Sequence, residues 1–60
     1  MLTELVESLP PDQRRVIVKR FVQQKSIREI ATDLGRSEGA VKQLQLRALE
    51  ALREKLGRQQ

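Results

Sequence analysis

The sequence contains no cysteine and no histidine. The chain therefore has no disulfide bond, none of the common zinc sites, and no nucleophile–histidine pair of the kind used in covalent catalysis. Glu29 and Asp33 lie one helical turn apart, but capping and solvation explain them, and no glycine-rich loop accompanies them to form a pocket. We expect no enzymatic activity, no metal and no cofactor.

Long apolar runs are absent as well. No stretch approaches the ~18 residues that a membrane-spanning helix needs, and Met1 leads directly into Leu2, Thr3 and Glu4 without the pattern of a signal peptide. We expect a cytoplasmic protein with no membrane partner. Sixty residues form one domain at most. Because the chain starts and stops without a linker, we expect it to be a domain of a longer protein.

The charged residues are unevenly distributed. Twelve Lys and Arg stand against eight Asp and Glu, for a net charge of +4. Residues 1–13 contain acidic but no basic side chains, whereas residues 14–28 contain six basic and no acidic ones. A basic stripe in a protein of pI about 10.4 is typical of a nucleic-acid binder. It is equally compatible with a solvated helical face, so charge alone leaves both interpretations open.

The first half of the sequence predicts two helices, at about residues 2–9 and 11–24. The first follows the i, i+3, i+4, i+7 spacing of an amphipathic helix, with Leu2, Leu5, Val6 and Leu9. Pro10-Pro11 ends it, because a residue that precedes proline is disfavoured in helical geometry. Pro11 suits the first turn of the next helix. The apolar stripe of this second helix is wide enough to contact more than one neighbour; its members are Val16, Ile17, Val18, Phe21 and Val22.

The second half predicts two more helices, at about residues 27–34 and 38–56. Ser26 and Glu29 form an S-x-x-E capping box, which satisfies two free N–H groups at a helix start. Gly35 suits the left-handed residue that ends the third helix, and Ser37 caps the fourth. Two capped helices separated by about three residues around a glycine predict a helix-turn-helix over residues 26–56. An ordinary helical hairpin is the alternative.

A helical wheel divides the fourth helix into two faces, with roughly 100° between successive residues. The predicted core stripe consists of Val41, Leu44, Ala48, Leu49, Leu52 and Leu56. The opposite side carries a small residue first and long polar side chains after it: Gly39, Lys42, Gln43, Leu46, Arg47 and Glu50. This order suits a helix whose N-terminal half enters the major groove of DNA. There, Lys or Arg can contact guanine, Gln can pair with adenine, and Leu46 can pack on a thymine methyl group.

Several motifs now make the sequence recognisable. Residues 9–16, L-P-P-D-Q-R-R-V, resemble the L-P-x-x-Q-R-x-V opening of sigma factors. Phe21, Ser26 and the run Glu29-Ile30-Ala31 resemble the segment that follows in that family. Residues 34–42, L-G-R-S-E-G-A-V-K, together with Arg47-Ala48 and Leu52-Arg53, are similar to its C-terminal signature. In this order the motifs cover nearly the whole chain and resemble domain 4 of bacterial extracytoplasmic-function (ECF) RNA polymerase sigma factors.

This resemblance implies an all-α, compact four-helix domain over residues 1–60 that ends in a helix-turn-helix without a wing. It implies binding to the −35 element of double-stranded promoter DNA and docking to the flap of the RNA polymerase β subunit, and an anti-sigma factor is a further implied partner. The implied base-reading residues are Lys42, Gln43, Leu46 and Arg47. The implied contacts to the DNA backbone are Arg28, Arg36 and Ser37, with close approach at Gly39.

The same resemblance implies an apolar groove for the polymerase flap or an anti-sigma factor. Its candidate residues are Leu5, Val6, Val18, Phe21, Val22 and Ile30. The alternative is that most of these side chains form the core, since a chain of this length has few apolar side chains to spare.

Two other functions remain open at this point. The first is the helix-turn-helix output domain of a response regulator. Its T-V-K-x-H pattern is not matched by Ala40-Val41-Lys42-Gln43-Leu44. The second is a sigma-like protein-interaction module for an anti-sigma factor or activator. In that case the domain would bind proteins and not DNA.

Overall fold

The computed structural model describes residues 2–58, with side chains described for residues 4–57. In chain order the elements are α1 (Leu2–Glu7), α2 (Pro11–Ile17), a π-helical segment that continues α2 (Val18–Val22), α3 (Ile27–Leu34) and α4 (Glu38–Arg58). No strand occurs among residues 2–58. The predicted all-α class, with four helices and a C-terminal helix-turn-helix, is confirmed. Within the described range, no helix combines the length and the apolar character needed to cross a membrane.

The apolar core consists of two clusters that share α2 as a wall. One cluster attaches α1 and α2 to the C-terminal half of α4 and contains Leu5, Leu9, Ile17, Ala48 and Leu52. The other holds α2, α3 and the N-terminal half of α4 together and contains Val16, Ile30, Ala31 and Val41. The consecutive residues Val16 and Ile17 therefore face different clusters. This is the double contact that the wide stripe of the second helix predicts.

The core stripe of α4 is narrower than the wheel predicts. Val41 and Ala48 are fully buried and Leu52 nearly so, but Leu49 is 40% exposed and Leu56 is 48% exposed. Leu49 and Leu56 lie roughly 60–80° to one side of Val41 on the wheel, at the edge of the buried face. The shorter helices that pack against α4 leave this edge uncovered. The predicted place of Leu2 in the stripe of α1 lies outside the described side chains.

Three helix ends differ from the predicted boundaries. Helix α1 ends at Glu7 and not at Leu9, and the Ser8 hydroxyl donates to the Leu5 carbonyl oxygen at 2.6 Å in the turn that follows. The π-helical segment ends at Val22, two residues early. Helix α4 continues through Gly57 to Arg58, since one glycine in a helix interior costs only about 1 kcal/mol.

The chain leaves the π-helical segment through a strained residue. The Gln23 amide donates to the Val18 carbonyl oxygen at 3.0 Å, which is the i to i+5 bond of a π-helix. Gln24 then adopts a left-handed backbone with φ of 57°. Its turn is closed by the Lys25 amide, which donates to the Lys19 carbonyl oxygen at 2.9 Å. A helix cannot continue through such a residue, so the predicted extension to Gln24 is not formed.

Candidate nucleic-acid interface

The turn between α3 and α4 has the geometry that its sequence predicts. Gly35 is left-handed, with φ of +66°, and the Arg36 amide donates to the Ala31 carbonyl oxygen at 2.9 Å. This bond satisfies a carbonyl group at the end of α3. The Ser37 hydroxyl oxygen accepts the Ala40 amide at 3.1 Å and so caps the start of α4. The turn therefore sets the direction in which α4 leaves α3.

The start of α3 is equally well defined. The Ser26 hydroxyl oxygen accepts the Glu29 amide at 3.1 Å, and the Ser26 amide donates to the Glu29 carboxylate at 3.0 Å. This is the predicted capping box, and the bond from the Ser26 amide lowers the pKa of Glu29 below its ordinary value. Ile30, one residue further, has no exposed surface. The capping box fixes the start of α3, and Ile30 packs this helix against α4 in the core.

One side of α4 is exposed along its N-terminal half. We call it the outward face of α4; it consists of Lys42, Gln43, Leu46 and Arg47, all of which are exposed. The helix is unbroken through this stretch, and Val41 and Ala48 anchor its opposite side in the core. Leu46 is 54% exposed between polar neighbours. All four predicted base-reading residues thus share one accessible surface.

Gly39 leaves open space at the start of this face. A Cβ atom added to it would meet no atom nearer than the Ser37 Oγ, at 4.0 Å. Packing within the domain therefore does not require a glycine here. A glycine is useful at such a position when another molecule comes close to the backbone.

In the described part of the chain, Lys42 and Arg47 have no acidic partner, whereas four of the basic residues that precede α4 do. Among the described residues, neither of them forms an ion pair or a side-chain hydrogen bond. Both charges are therefore available to an anionic ligand without the loss of an internal contact. Arg28 is also exposed, on the first turns of α3.

The other predicted phosphate contact, Arg36, is held by an ion pair. Its Nη2 lies 2.6 Å from Oδ2 of Asp12, which is on α2. Arg15 Nη1 approaches the other oxygen of the same carboxylate at 3.6 Å. No local pattern indicates the pair, since the two residues are 24 positions apart.

A second carboxylate, Asp33 on α3, also holds two basic residues. Its Oδ2 lies 2.7 Å from Lys25 Nζ and 3.5 Å from Lys19 Nζ. The hydrogen bond from Lys25 lowers the pKa of Asp33 below its ordinary value, and the same bond raises the pKa of Lys25. This cluster attaches the end of α2 and the turn after it to α3. No local pattern in the sequence indicates this cluster, since its two basic residues lie outside α3, 8 and 14 positions from Asp33.

The residues of the predicted apolar groove separate into three groups by exposure. Ile30 has no exposed surface and Leu5 is only 8% exposed, because each belongs to a core cluster, so the structure places both in the core and not on a groove. Val6 and Val18 are half-buried. Phe21 is 52% exposed and Val22 is 74% exposed. We call Phe21 and Val22 the apolar patch.

One buried polar atom on α4 has no partner. The Oε1 atom of Gln45 is shielded from solvent and accepts no hydrogen bond within the described structure. Gln45 lies between the core side and the outward face of α4. We assign it no role.

Comparison with known proteins gives a consistent result. The family model for sigma-70, region 4, matches residues 1–52. The RNA polymerase sigma-E factor of Streptomyces avermitilis is 45% identical over 56 residues, which are 93% of this chain and 31% of the relative. The ECF RNA polymerase sigma factor SigD of Mycobacterium tuberculosis is 38% identical over 55 residues, which are 92% of this chain and 26% of the relative.

A solved structure agrees with these sequence matches. It is described as an RsbN-BldN complex and superposes with a TM-score of 0.86 at 40% identity, covering 88% of this chain and 38% of that chain. The chain thus spans about a third or less of the length of the curated relatives given above.

Proposed function

Because this chain belongs to the sigma-70 region 4 family and its curated relatives are ECF RNA polymerase sigma factors, we propose that it binds the −35 element of promoters during transcription initiation. The observation that carries this proposal is the outward face of α4. A continuous helix, anchored by Val41 and Ala48, presents long polar side chains on its free side near its capped N-terminus. This is how the second helix of a helix-turn-helix is presented to the major groove.

The chemistry of the outward face suits base edges. Lys42 and Arg47 can donate to the guanine acceptors N7 and O6, and the amide of Gln43 can pair with adenine. Leu46 can contact a thymine methyl group. Neither cation has an internal partner among the described residues, so no ion pair must break when DNA binds.

Residues beside the outward face suit the phosphate backbone. Arg28 and Arg36 are exposed near the start of α3 and the start of α4, respectively. The Ser37 hydroxyl oxygen accepts the Ala40 amide, which leaves its own proton free to donate to a phosphate oxygen. Such contacts supply much of the affinity and set the register without reading sequence.

The domain offers a second surface for a protein partner. The apolar patch of Phe21 and Val22, with Val6 and Val18 half-buried, lies outside α4. We propose that it contributes to docking on the flap of the polymerase β subunit and to binding an anti-sigma factor. A related structure solved as an RsbN-BldN complex supports a protein partner for this kind of domain. The match to sigma-70 region 4 over residues 1–52 favours this function over a response-regulator output domain.

Selection of bound DNA tests the first proposal. Polymerase core carrying the parent sigma factor is incubated with a duplex library in which the −35 region is random, and the bound duplexes are sequenced. We expect one enriched motif with wild-type protein and a loss of preference at one or two positions with Lys42→Ala. Arg53→Ala, which removes a charge near the far end of α4, is the matched control and should leave the motif unchanged. An unselective wild-type protein would refute the proposal.

Substitution in the apolar patch tests the second proposal. Val22→Ser should weaken the association of the sigma factor with polymerase core, because it removes an exposed apolar contact. Since Val22 is 74% exposed, the domain should still fold and bind duplex DNA as the wild type does. Unchanged association with core would exclude the patch from docking.

A further inference from the structure

The carboxylate of Asp12 joins two arginines from different parts of the chain. Arg36 Nη2 lies 2.6 Å from Oδ2 and Arg15 Nη1 lies 3.6 Å from Oδ1. The relative exposure is 61% for the Arg15 side chain, 45% for Arg36 and 39% for Asp12. The two guanidinium groups are therefore held side by side, on opposite oxygens of one carboxylate, at a surface that solvent reaches.

This arrangement keeps a net positive charge and free donors. Two guanidinium groups and one carboxylate sum to +1. Each guanidinium carries five N–H donors in a planar fork, and the contacts to Asp12 occupy only part of them. The remaining donors can bind an anion while the ion pairs stay in place.

The location of the pair connects it to the outward face of α4. Arg36 immediately precedes Ser37, the residue that caps α4. Arg15 and Asp12 both lie on α2. Because the Asp12 carboxylate also contacts Arg36, the Arg15 guanidinium group lies near the turn that precedes α4. None of the residues assigned above to DNA contacts lies on α2, so Arg15 extends the basic surface beyond the helix-turn-helix.

Stability does not explain the arrangement. Exposed ion pairs contribute little to folding, because solvent screens them and both side chains lose freedom. The contacts with Asp12 instead restrict the conformations of the Arg15 and Arg36 side chains. A side chain that is already fixed loses less conformational entropy when it binds a ligand.

We propose that Arg15 and Arg36 form a paired binding site for one phosphate of the DNA backbone, and that Asp12 is the positioning residue that holds them. This inference rests on the proposed function, since it requires DNA to lie against the start of α4. Asp12 has two opposed effects on binding: it orders the guanidinium groups, and it repels the phosphate. The test of Asp12 is therefore whether its substitution changes DNA affinity differently when the two arginines are present and when they are absent.

Salt dependence tests Arg15. The affinity of the full chain for a short duplex of mixed sequence is measured over a series of KCl concentrations. Each lost phosphate contact should reduce the slope of log affinity against log salt by about 0.9. We expect this reduction for Arg15→Gln and for Arg36→Gln, but not for Arg53→Gln, the matched control near the far end of α4. Arg15→Lys, which keeps the charge, should restore most of the slope.

Double variants test Asp12. We expect Asp12→Asn to raise the affinity in the Arg15→Gln, Arg36→Gln background, where only its repulsion of the phosphate remains. In the wild-type chain it should raise the affinity less, or lower it, because the ordering of the two arginines is lost as well. An equal effect in the two backgrounds would overturn the positioning role. An Arg15→Gln slope equal to that of Arg53→Gln would overturn the phosphate site but leave the proposed function intact. A wild-type chain with no salt-dependent binding would overturn both. Thermal unfolding of each variant confirms that the domain remains folded.

Discussion

Two groups of basic residues in this domain have different surroundings. Arg15, Lys19, Lys25 and Arg36, which we call the paired group, contact the carboxylates of Asp12 or Asp33. Lys42 and Arg47, on the outward face of α4, have no such contact within the described residues. Formal charge does not distinguish the groups, and all six residues count equally toward the net charge.

The difference indicates what each group can do. The paired group links α2 and the turn that follows it to α3 and to the turn before α4. These contacts order the side chains of the paired group but, being exposed, contribute little to folding. Lys42 and Arg47 make no ion pair within the described residues, which leaves their charges available for the DNA contacts proposed above. Changes on the outward face should accordingly alter DNA binding and spare stability, whereas changes among the structural contacts of α3 should alter stability.

The largest effect is expected for Arg47→Ala. It should cost about 1–3 kcal/mol of binding to the preferred −35 duplex and relax the preference at one base position. Arg36→Ala should instead weaken binding to every duplex alike, since a phosphate contact carries no sequence information. Fluorescence anisotropy with the preferred duplex and with single-base variants distinguishes the two patterns. A uniform loss for Arg47→Ala across all duplexes would contradict its base-reading role.

A loss of about 0.5–2 kcal/mol in the free energy of unfolding is expected for Ser26→Ala. The substitution removes the hydroxyl that accepts the Glu29 amide and so opens the capping box at the start of α3. Glu29→Gln is the matched control, because glutamine also completes a capping box. Urea unfolding followed by circular dichroism measures both variants. Unchanged stability for Ser26→Ala together with a loss for Glu29→Gln would show that the charge of Glu29, and not the hydrogen-bonded cap, stabilises α3.

Gly39→Ala should move stability and binding in opposite directions. Alanine gains up to about 1 kcal/mol over glycine in a helix, and the open space around Gly39 accommodates the methyl group. The same methyl group would stand between α4 and the DNA, so affinity should fall. Gly57→Ala, which also meets open space, should stabilise the domain without changing DNA affinity. If Gly39→Ala binds as well as wild type, the close approach proposed at Gly39 is incorrect.

The smallest expected effect is a pH dependence that arises from Asp33. The hydrogen bond from Lys25 holds the pKa of Asp33 below its ordinary value, so the folded state binds a proton less readily than the unfolded state. Its contribution to stability is fully present above the unfolded pKa, at about 4, and is lost as the pH falls through the lower folded value. The raised pKa of Lys25 adds stability that disappears only at strongly alkaline pH.

Thermal unfolding as a function of pH measures this effect. Wild type should lose stability as the pH falls below about 4, and Asp33→Asn should lose less over the same range. Glu7→Gln serves as the control, since no ion pair of Glu7 occurs in the described part of the chain. Identical pH profiles for wild type and Asp33→Asn would show that the contacts of Asp33 do not stabilise the fold.

Local patterns predicted the helix-turn-helix well. The capping box, the left-handed glycine and the serine cap each depend on residues within about one helical turn, and each is present in the structure. The exposed position of Leu46 followed from the wheel of α4 for the same reason. The predictions for Leu49, Leu56, Leu5 and Ile30 required knowledge of which surfaces neighbouring helices cover. A wheel contains no such information.

The sequence by itself determined the four helices, the site of the turn and the side of α4 that faces away from the core, because periodicity and capping act over short distances along the chain. Only the tertiary structure decided which basic residues are paired and which apolar residues remain exposed. Asp12 and Arg36 are 24 positions apart and meet only after α2 packs against the turn that starts α4. Ion pairs and burial depend on distances in space, and packing of the helices around two small core clusters sets those distances.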